Sequence, residues 1–167
     1  MSVVTQIANA VVFELANHEF SQEFEPKMLV LPSFEPSELE VLRVSVVPRT
    51  LEIDRVTRGS SKYTVGIDIG IQKRITGTPE ETVATMGVLV DEIADFLKSA
   101  DLSQFPEAQW HGLTNDPLYV PEHLAQKRTF TSILSLKYLV ESEKAQKVHK
   151  NKNLPVIFRC LKLQGFV

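Results

Sequence analysis

The chain has 167 residues, of which 43% are hydrophobic and 23% charged, and this ordinary composition excludes a disordered chain, a collagen-like repeat and a disulfide scaffold. Its 18 Lys and Arg against 21 Asp and Glu leave a formal charge of -3, so no overall attraction to nucleic acid or anionic lipid is expected. The single cysteine, Cys160, has no second cysteine to pair with, which fits a reducing compartment.

The charge is unevenly distributed along the chain. Residues 144–167 contain six Lys or Arg and no acid, whereas residues 1–143 carry the other 12 bases and all 21 acids. The body is therefore at -9 and the C-terminal segment at +6. No run approaches the roughly 18 apolar residues of a membrane-spanning helix, and the N-terminus lacks the pattern of a secretory signal. The sequence predicts a soluble, unexported protein with no membrane partner.

The first predicted element is a helix. Apolar residues recur at spacings of three and four between Val3 and His18, which places one apolar stripe along a helix. Residues 19–40 contain three prolines and are predicted to be mostly loop, with one short strand at residues 27–31.

Three strand-like runs follow, and the proline and turn residues that separate them favour antiparallel pairing. The first covers residues 42–48 and is predicted to end at its proline, and the second begins with Leu51 and Ile53. The third, residues 63–71, alternates strictly between apolar and polar side chains. Because only one face of this run is apolar, the hairpin is predicted to leave its other face to solvent or to a partner.

A second helix and a last strand complete the predicted elements. Thr78 as N-cap, with Pro79 next and Glu81 three residues on, predicts a helix over residues 79–99. Residues 100–125 are predicted to form a long connection, and the alternating residues 129–140 a final strand.

The predicted fold is α+β. Its sheet is mostly antiparallel, in the element order α-β-β-β-α-β, and both helices cover one face. This domain is expected to span residues 1–140. Residues 141–167 are expected to form a basic C-terminal arm, either flexible or wrapped around a subunit, in which Leu154–Leu163 is a candidate strand.

Catalytic and metal-binding patterns cannot be read from the chain. Cys160 lies near Arg159 and Lys162, which could lower its pKa, but a lone cysteine is more often a small buried hydrophobe. Gly66 and Gly70 lie in a strand pattern, so they indicate sheet curvature or a close backbone approach rather than a phosphate loop. The sequence predicts no enzyme, no metal and no cofactor. The histidines, none in a ligand pattern, are His18, His111, His123 and His149.

Seven residues are predicted as candidates for protein contacts. Five are basic side chains at the two ends of the long hairpin, where they could contact phosphate or a partner's carboxylates, or only keep the sheet edge from aggregating. Two are aromatic side chains of the long connection. They are Arg55, Arg58, Lys62, Lys73, Arg74, Trp110 and Tyr119.

Several segments, taken in order, resemble one family of phage proteins. They are Leu42–Arg49 with Ile53, Tyr63–Lys73, Val90–Leu97, Asn115–Leu124 and Arg128–Ser132. Over roughly residues 3–140 the chain resembles the tail-terminator proteins, also called tail-completion or minor tail proteins, of long-tailed bacteriophages and prophages. None of these segments is a catalytic signature.

The resemblance implies a structural virion protein, assembled in the cytoplasm of a bacterial host. Such a protein forms a homo-oligomeric ring, usually of six subunits, on the tail tube protein, ends tube polymerisation and offers a docking surface to the head connector. Genomic DNA would pass through the ring without specific binding, which suits an acidic body. The basic segment from Lys144 departs from the family pattern.

Three alternatives remain open at the level of sequence. The nearest is a head–tail connector or neck adaptor on the portal side. A nucleic-acid-binding module would use the basic arm, which has few aromatic residues for base stacking. A small enzyme would use the long connection, with Asp116 and His123 as an acid–base pair, although Asn-Asp-Pro is foremost a turn signal.

Overall fold

In the computed structural model, which describes residues 2–31 and 34–143, the two longer helices cover one face of a five-stranded mixed sheet. The protein is therefore α+β, as predicted. The helices are α1 (Val3–Ala16), α2 (Pro79–Ser99) and α3 (Pro121–Lys127), and a short 3-10 helix spans Glu38–Glu40. The strands are β1 (Pro26–Met28), β2 (Arg43–Arg55), β3 (Ser60–Arg74), β4 (Gln109–Thr114) and β5 (Thr129–Glu143).

The strand order across the sheet is β1-β2-β3-β5-β4. β2–β3, β3–β5 and β5–β4 pair antiparallel, but β1 runs parallel to β2. The predicted order α-β-β-β-α-β is wrong, because the chain runs α-β-β-β-α-β-α-β in the described elements. The arm predicted for residues 141–167 begins as strand, since β5 continues to Glu143, and residues 144–167 with the candidate strand Leu154–Leu163 lie outside the described residues.

The two runs predicted on either side of Pro48 are one strand. The register with β3 shifts between Pro48 and Thr50, so the strand absorbs an irregular step there and continues to Arg55. β1 pairs with β2 only as far as Val46. Beyond that point β2 is an edge strand, where the missing N–H of a proline costs little.

The core lies between the helices and one face of the sheet. Alternate residues of β3, from Val65 to Ile71, are buried, and so are their register partners on β5, such as Leu134 and Leu136. α1 packs against the β1–β2 side, and α2 packs against β5 and β4. Both helices contribute to one apolar cluster with these strands, which confirms that they cover one face.

The N-terminus of α2 carries the predicted cap. The Thr78 hydroxyl accepts a hydrogen bond from the backbone N–H of Glu81, at 3.4 Å. We expect Thr78→Ala to lower the free energy of unfolding by about 1 kcal/mol, because an N–H of the first turn loses its acceptor. Thr78→Ser, which keeps an oxygen at that position, is the matched control in chemical denaturation. Equal losses in both variants would contradict a capping role.

Tyr138 of β5 is fully buried, and its hydroxyl has no hydrogen-bond partner in the described structure. Burial raises the pKa of this phenol, with a smaller contribution from the charge of Glu14. An unpaired buried hydroxyl costs free energy. We therefore expect Tyr138→Phe to raise the melting temperature by roughly 2–4 °C, which corresponds to about 1 kcal/mol for a chain of this size. A lower melting temperature in calorimetry would show that the hydroxyl is satisfied.

Two elements lie in the connection predicted for residues 100–125. β4 was missed because the register with β5 shifts between Trp110 and Gly112, which breaks the alternation expected of a strand. α3 is only seven residues long, too short for a helical period to show. It ends at Lys127 and is capped by Arg128, whose φ of 49° lies in the left-handed region common just after helices.

Candidate protein-contact surfaces

The hairpin of β2 and β3 extends past the helical layer. On the face that the helices cover, Val44 and Val46 are buried, but farther along β2 Leu51 is 43% exposed and Ile53 57% exposed. Val56, in the turn, is 60% exposed. These three residues, with Arg55 and Arg58, are called the hairpin tip below. An exposed apolar patch with a polar rim is typical of a protein-contact site.

The charged side chains at this end of the hairpin differ between the two faces of the sheet. Arg55 follows Leu51 and Ile53 on the helix-side face, since side chains of a strand alternate, and its Nε donates to the carbonyl of Thr57 at 3.2 Å. The opposite face carries Lys62, whose register partners are Asp54 on β2 and Glu141 on β5. The apolar face therefore carries arginine without an acidic neighbour in the ladder.

The other two predicted basic residues lie at the far end of β3. Lys73 donates from Nζ to Gln22 Oε1 at 3.1 Å, and Arg74 forms a 3.5 Å ion pair with Glu40. The 15 residues of β3 span about 46 Å at the rise typical of a strand. The structure thus separates Lys73 and Arg74 from Arg55, Arg58 and Lys62, and the five do not form one patch.

A groove opens at that far end, between the end of α1 and the segment that follows it. Its volume is about 780 Å³. Phe20 and Phe24 stack with ring centroids 5.2 Å apart, and His18 stacks on Phe96 of α2 at 4.0 Å. We call this the aromatic groove. Its lining residues are Leu15, Ala16, His18, Glu19, Phe20, Gln22, Glu23, Phe24 and Val41.

The rim of the aromatic groove is acidic. Glu19 and Glu23 are exposed, and neither forms an ion pair or hydrogen bond within residues 2–31 and 34–143. Beside the groove, Ser21 donates its backbone N–H to Glu92 Oε2 at 3.0 Å, which lowers the pKa of the Glu92 carboxyl. The sequence analysis did not predict this site, because residues 19–40 were expected to be mostly loop. The sequence feature that marks the site is a pair of phenylalanines four residues apart, flanked by glutamates.

The two predicted aromatic contact residues lie in different settings. Trp110, on the edge strand β4, is 37% exposed opposite Tyr138. Tyr119 is partly buried, with its ring centroid 6.4 Å from that of Phe130, and it lines a cavity of about 160 Å³ next to α2. Trp110 is available to a partner at the sheet edge, whereas Tyr119 mainly packs on the core.

The sheet face away from α1 and α2 is polar. Asp68 of β3 accepts hydrogen bonds from Arg49, at 2.8 Å, and from the Ser135 hydroxyl, at 2.7 Å. A side chain at Gly66 would collide with the Thr50 hydroxyl, and a Cβ at Gly70 would lie 2.8 Å from Ser45 Oγ. These glycines therefore leave room for hydroxyl groups from β2. The close approach at both positions is made by side chains and not by backbone.

No cluster of three His, Cys, Asp or Glu side chains suited to a metal occurs in the described part of the chain. In that part of the chain no hydrogen bond or ion pair joins Asp116 and His123, and His123 Nδ1 hydrogen-bonds the Thr131 hydroxyl at 3.0 Å. His149 and Cys160 lie outside the described residues.

The chain matches no model of a known protein family, and no curated protein sequence matches it. Within residues 2–31 and 34–143, none of the helices is long and apolar enough to cross a membrane.

Proposed function

We propose that the protein is a structural component of the neck of a long-tailed phage, a tail terminator. In this role, copies of the chain form a ring, with six subunits as in the family it resembles. The ring caps the tube of tail protein, ends its polymerisation and receives the head connector. The finished ring is part of the virion and assembles in the host cytoplasm.

The observation that carries this proposal is the hairpin tip. It presents apolar side chains to solvent at the end of a strand pair that extends beyond the helices, as expected of a subunit that functions through contacts with other proteins. The segments that resemble tail terminators run through β2, β3, α2 and β5, so the resemblance extends over the main elements of the fold.

Charge supports the same role. Residues 1–143 carry a net charge of -9, and phosphate affinity comes chiefly from Lys and Arg that neutralise the DNA backbone. A ring lined by such a body would let DNA pass without retaining it. A charge map of the assembled ring tests this, and a strongly basic bore would contradict it.

Electron microscopy of the purified protein, alone and mixed with tubes of the matching tail protein, tests the function. We expect rings that cap one end of each tube, after which tube length no longer increases. Binding to portal-bearing heads, with no binding to tubes, would instead identify a head–tail connector on the portal side. Binding to neither would overturn both assignments.

Deleting residues 144–167 is expected to leave the rest of the chain folded. Within the described residues, the buried members of the apolar core lie between Ile7 and Val140, so the truncated chain keeps all of these members. Thermal melting should remain cooperative and shift little. Loss of the cooperative transition would show that the C-terminal segment is part of the core.

A further inference from the structure

We propose that the hairpin tip of one copy docks in the aromatic groove of the next copy. This inference deepens the proposed ring function and rests on it for the closure of the ring. Its basis is that the two surfaces match in chemistry and lie at opposite ends of one sheet.

The hairpin tip offers apolar side chains edged by positive charge. Leu51, Ile53 and Val56 are between 43% and 60% exposed. Arg55 lies on the same face, and Arg58 lies in the turn that the tip presents first. Neither guanidinium pairs with a carboxylate among the described residues.

The aromatic groove offers the complement. Phe20, Phe24 and the exposed Val41 give it an apolar floor, and Glu19 and Glu23 place two unpaired carboxylates on its rim. The aromatic stacking fixes this floor before a partner arrives, which reduces the entropy lost on binding. Arginine paired with glutamate around an apolar centre is a common arrangement of protein interfaces.

The positions of the two surfaces make the contact head-to-tail. The groove adjoins the end of β3 at Lys73, through the hydrogen bond of Gln22, and the tip is at the start of β3. The distance of about 46 Å along that strand keeps a tip from reaching the groove of its own chain. A contact between two different surfaces is heterologous, and it closes into a ring when the rotation between copies allows.

A second copy fits the tip better than the C-terminal segment of the same chain does. β5 ends beside the tip, where Glu143 pairs with Ser60, so residues 144–167 begin nearby. That segment carries +6 and would place like charge against Arg55 and Arg58. The acidic rim of the groove attracts the same arginines.

Charge reversal in the full-length chain tests the contact. Arg55→Glu should weaken binding only through the tip, and Glu23→Arg only through the groove. We therefore expect each variant alone to associate at least about tenfold more weakly than the natural chain in sedimentation velocity. An equal mixture should regain association, because a natural tip meets a natural groove and the two reversed surfaces suit each other. Both positions are exposed, and circular dichroism checks that the fold is kept.

Crosslinking provides an independent measurement. In a Cys160→Ser background, the double variant Val56→Cys with Glu23→Cys should give a ladder of disulfide-linked multimers on oxidation, whereas each single cysteine should give at most dimers. If the mixture of charge variants associates no better than each variant alone, or if the double cysteine variant gives no ladder, the proposal is overturned. A natural chain that stays monomeric at millimolar concentration also overturns it.

These outcomes are separable from those of the proposed function. Rings that cap tubes but are indifferent to both charge reversals would refute this interface and leave the terminator role standing. A charge-dependent ring that binds no tube would keep the interface and refute the role. If crosslinking between tip and groove persists or increases when residues 144–167 are deleted, the tip and the groove themselves make the contact; if the deletion abolishes crosslinking, the contact depends on that segment and the proposal fails.

Discussion

Phe130→Ala is expected to lower the free energy of unfolding by about 3–5 kcal/mol, since removing a buried phenyl ring forfeits its transfer free energy and leaves a cavity. Phe130 is 1% exposed and joins β5 to α2 and Tyr119. Domains of this kind are stable by only about 5–15 kcal/mol. The loss would therefore remove a large part of the total, and urea denaturation measures it directly.

Ile133→Ala is the matched control for this prediction. Ile133 lies on the same strand, on the face away from the core, and is 41% exposed. We expect a loss well below that of Phe130→Ala, because little apolar surface leaves water at this position. Similar losses for the two variants would mean that the helices do not pack on the face assigned here.

If the chain has the tail-terminator role proposed above, the double variant Ile53→Asp with Val56→Asp is expected to abolish capping of tail tubes. Both side chains are exposed, so the melting temperature should stay close to that of the natural chain, whereas two carboxylates in an apolar contact would be desolvated without partners. The measurement is the length distribution of tubes assembled with the variant, which should match that of tubes assembled without any terminator.

Val88→Asp provides the comparison for the hairpin variant. Val88 is 55% exposed on α2, so Val88→Asp places one carboxylate, against two in the hairpin variant, on a comparable apolar residue away from the tip. The Val88→Asp variant should still limit the length of the tubes. If Val88→Asp also removes capping, or if the hairpin variant caps normally, the tip is not the surface on which assembly depends.

Regular periodicity accounts for the parts of the fold that could be predicted. α2 has a cap, an N1 proline and a full apolar stripe within its own sequence, and β3 alternates over most of its length. Such signals are local, so they require no knowledge of the rest of the fold. β2 differs, because whether Pro48 ends a strand depends on whether a neighbour needs its N–H, and that is a property of the sheet.

The candidate surfaces could also be predicted from the sequence only in part. The hairpin tip could be anticipated from its turn and its basic residues, but not that the helices stop short of Ile53. The aromatic groove depends on α2, because His18 stacks on Phe96, more than seventy residues away in the chain. Lys73 and Arg74 resembled contact residues by charge alone, and only the fold shows their partners Gln22 and Glu40.

The central strand pair also determines the order in which the chain can fold. β3 and β5 are neighbours in the sheet, yet Ser60 pairs with Glu143, and all of α2, β4 and α3 lie between them in sequence. Pairings of such long sequence separation form slowly. During synthesis β3 must therefore wait with one edge unpaired until β5 leaves the ribosome. A chain interrupted before residue 129 would expose that edge, and edge strands of this length invite aggregation; β5 pairs with this edge and so also protects it.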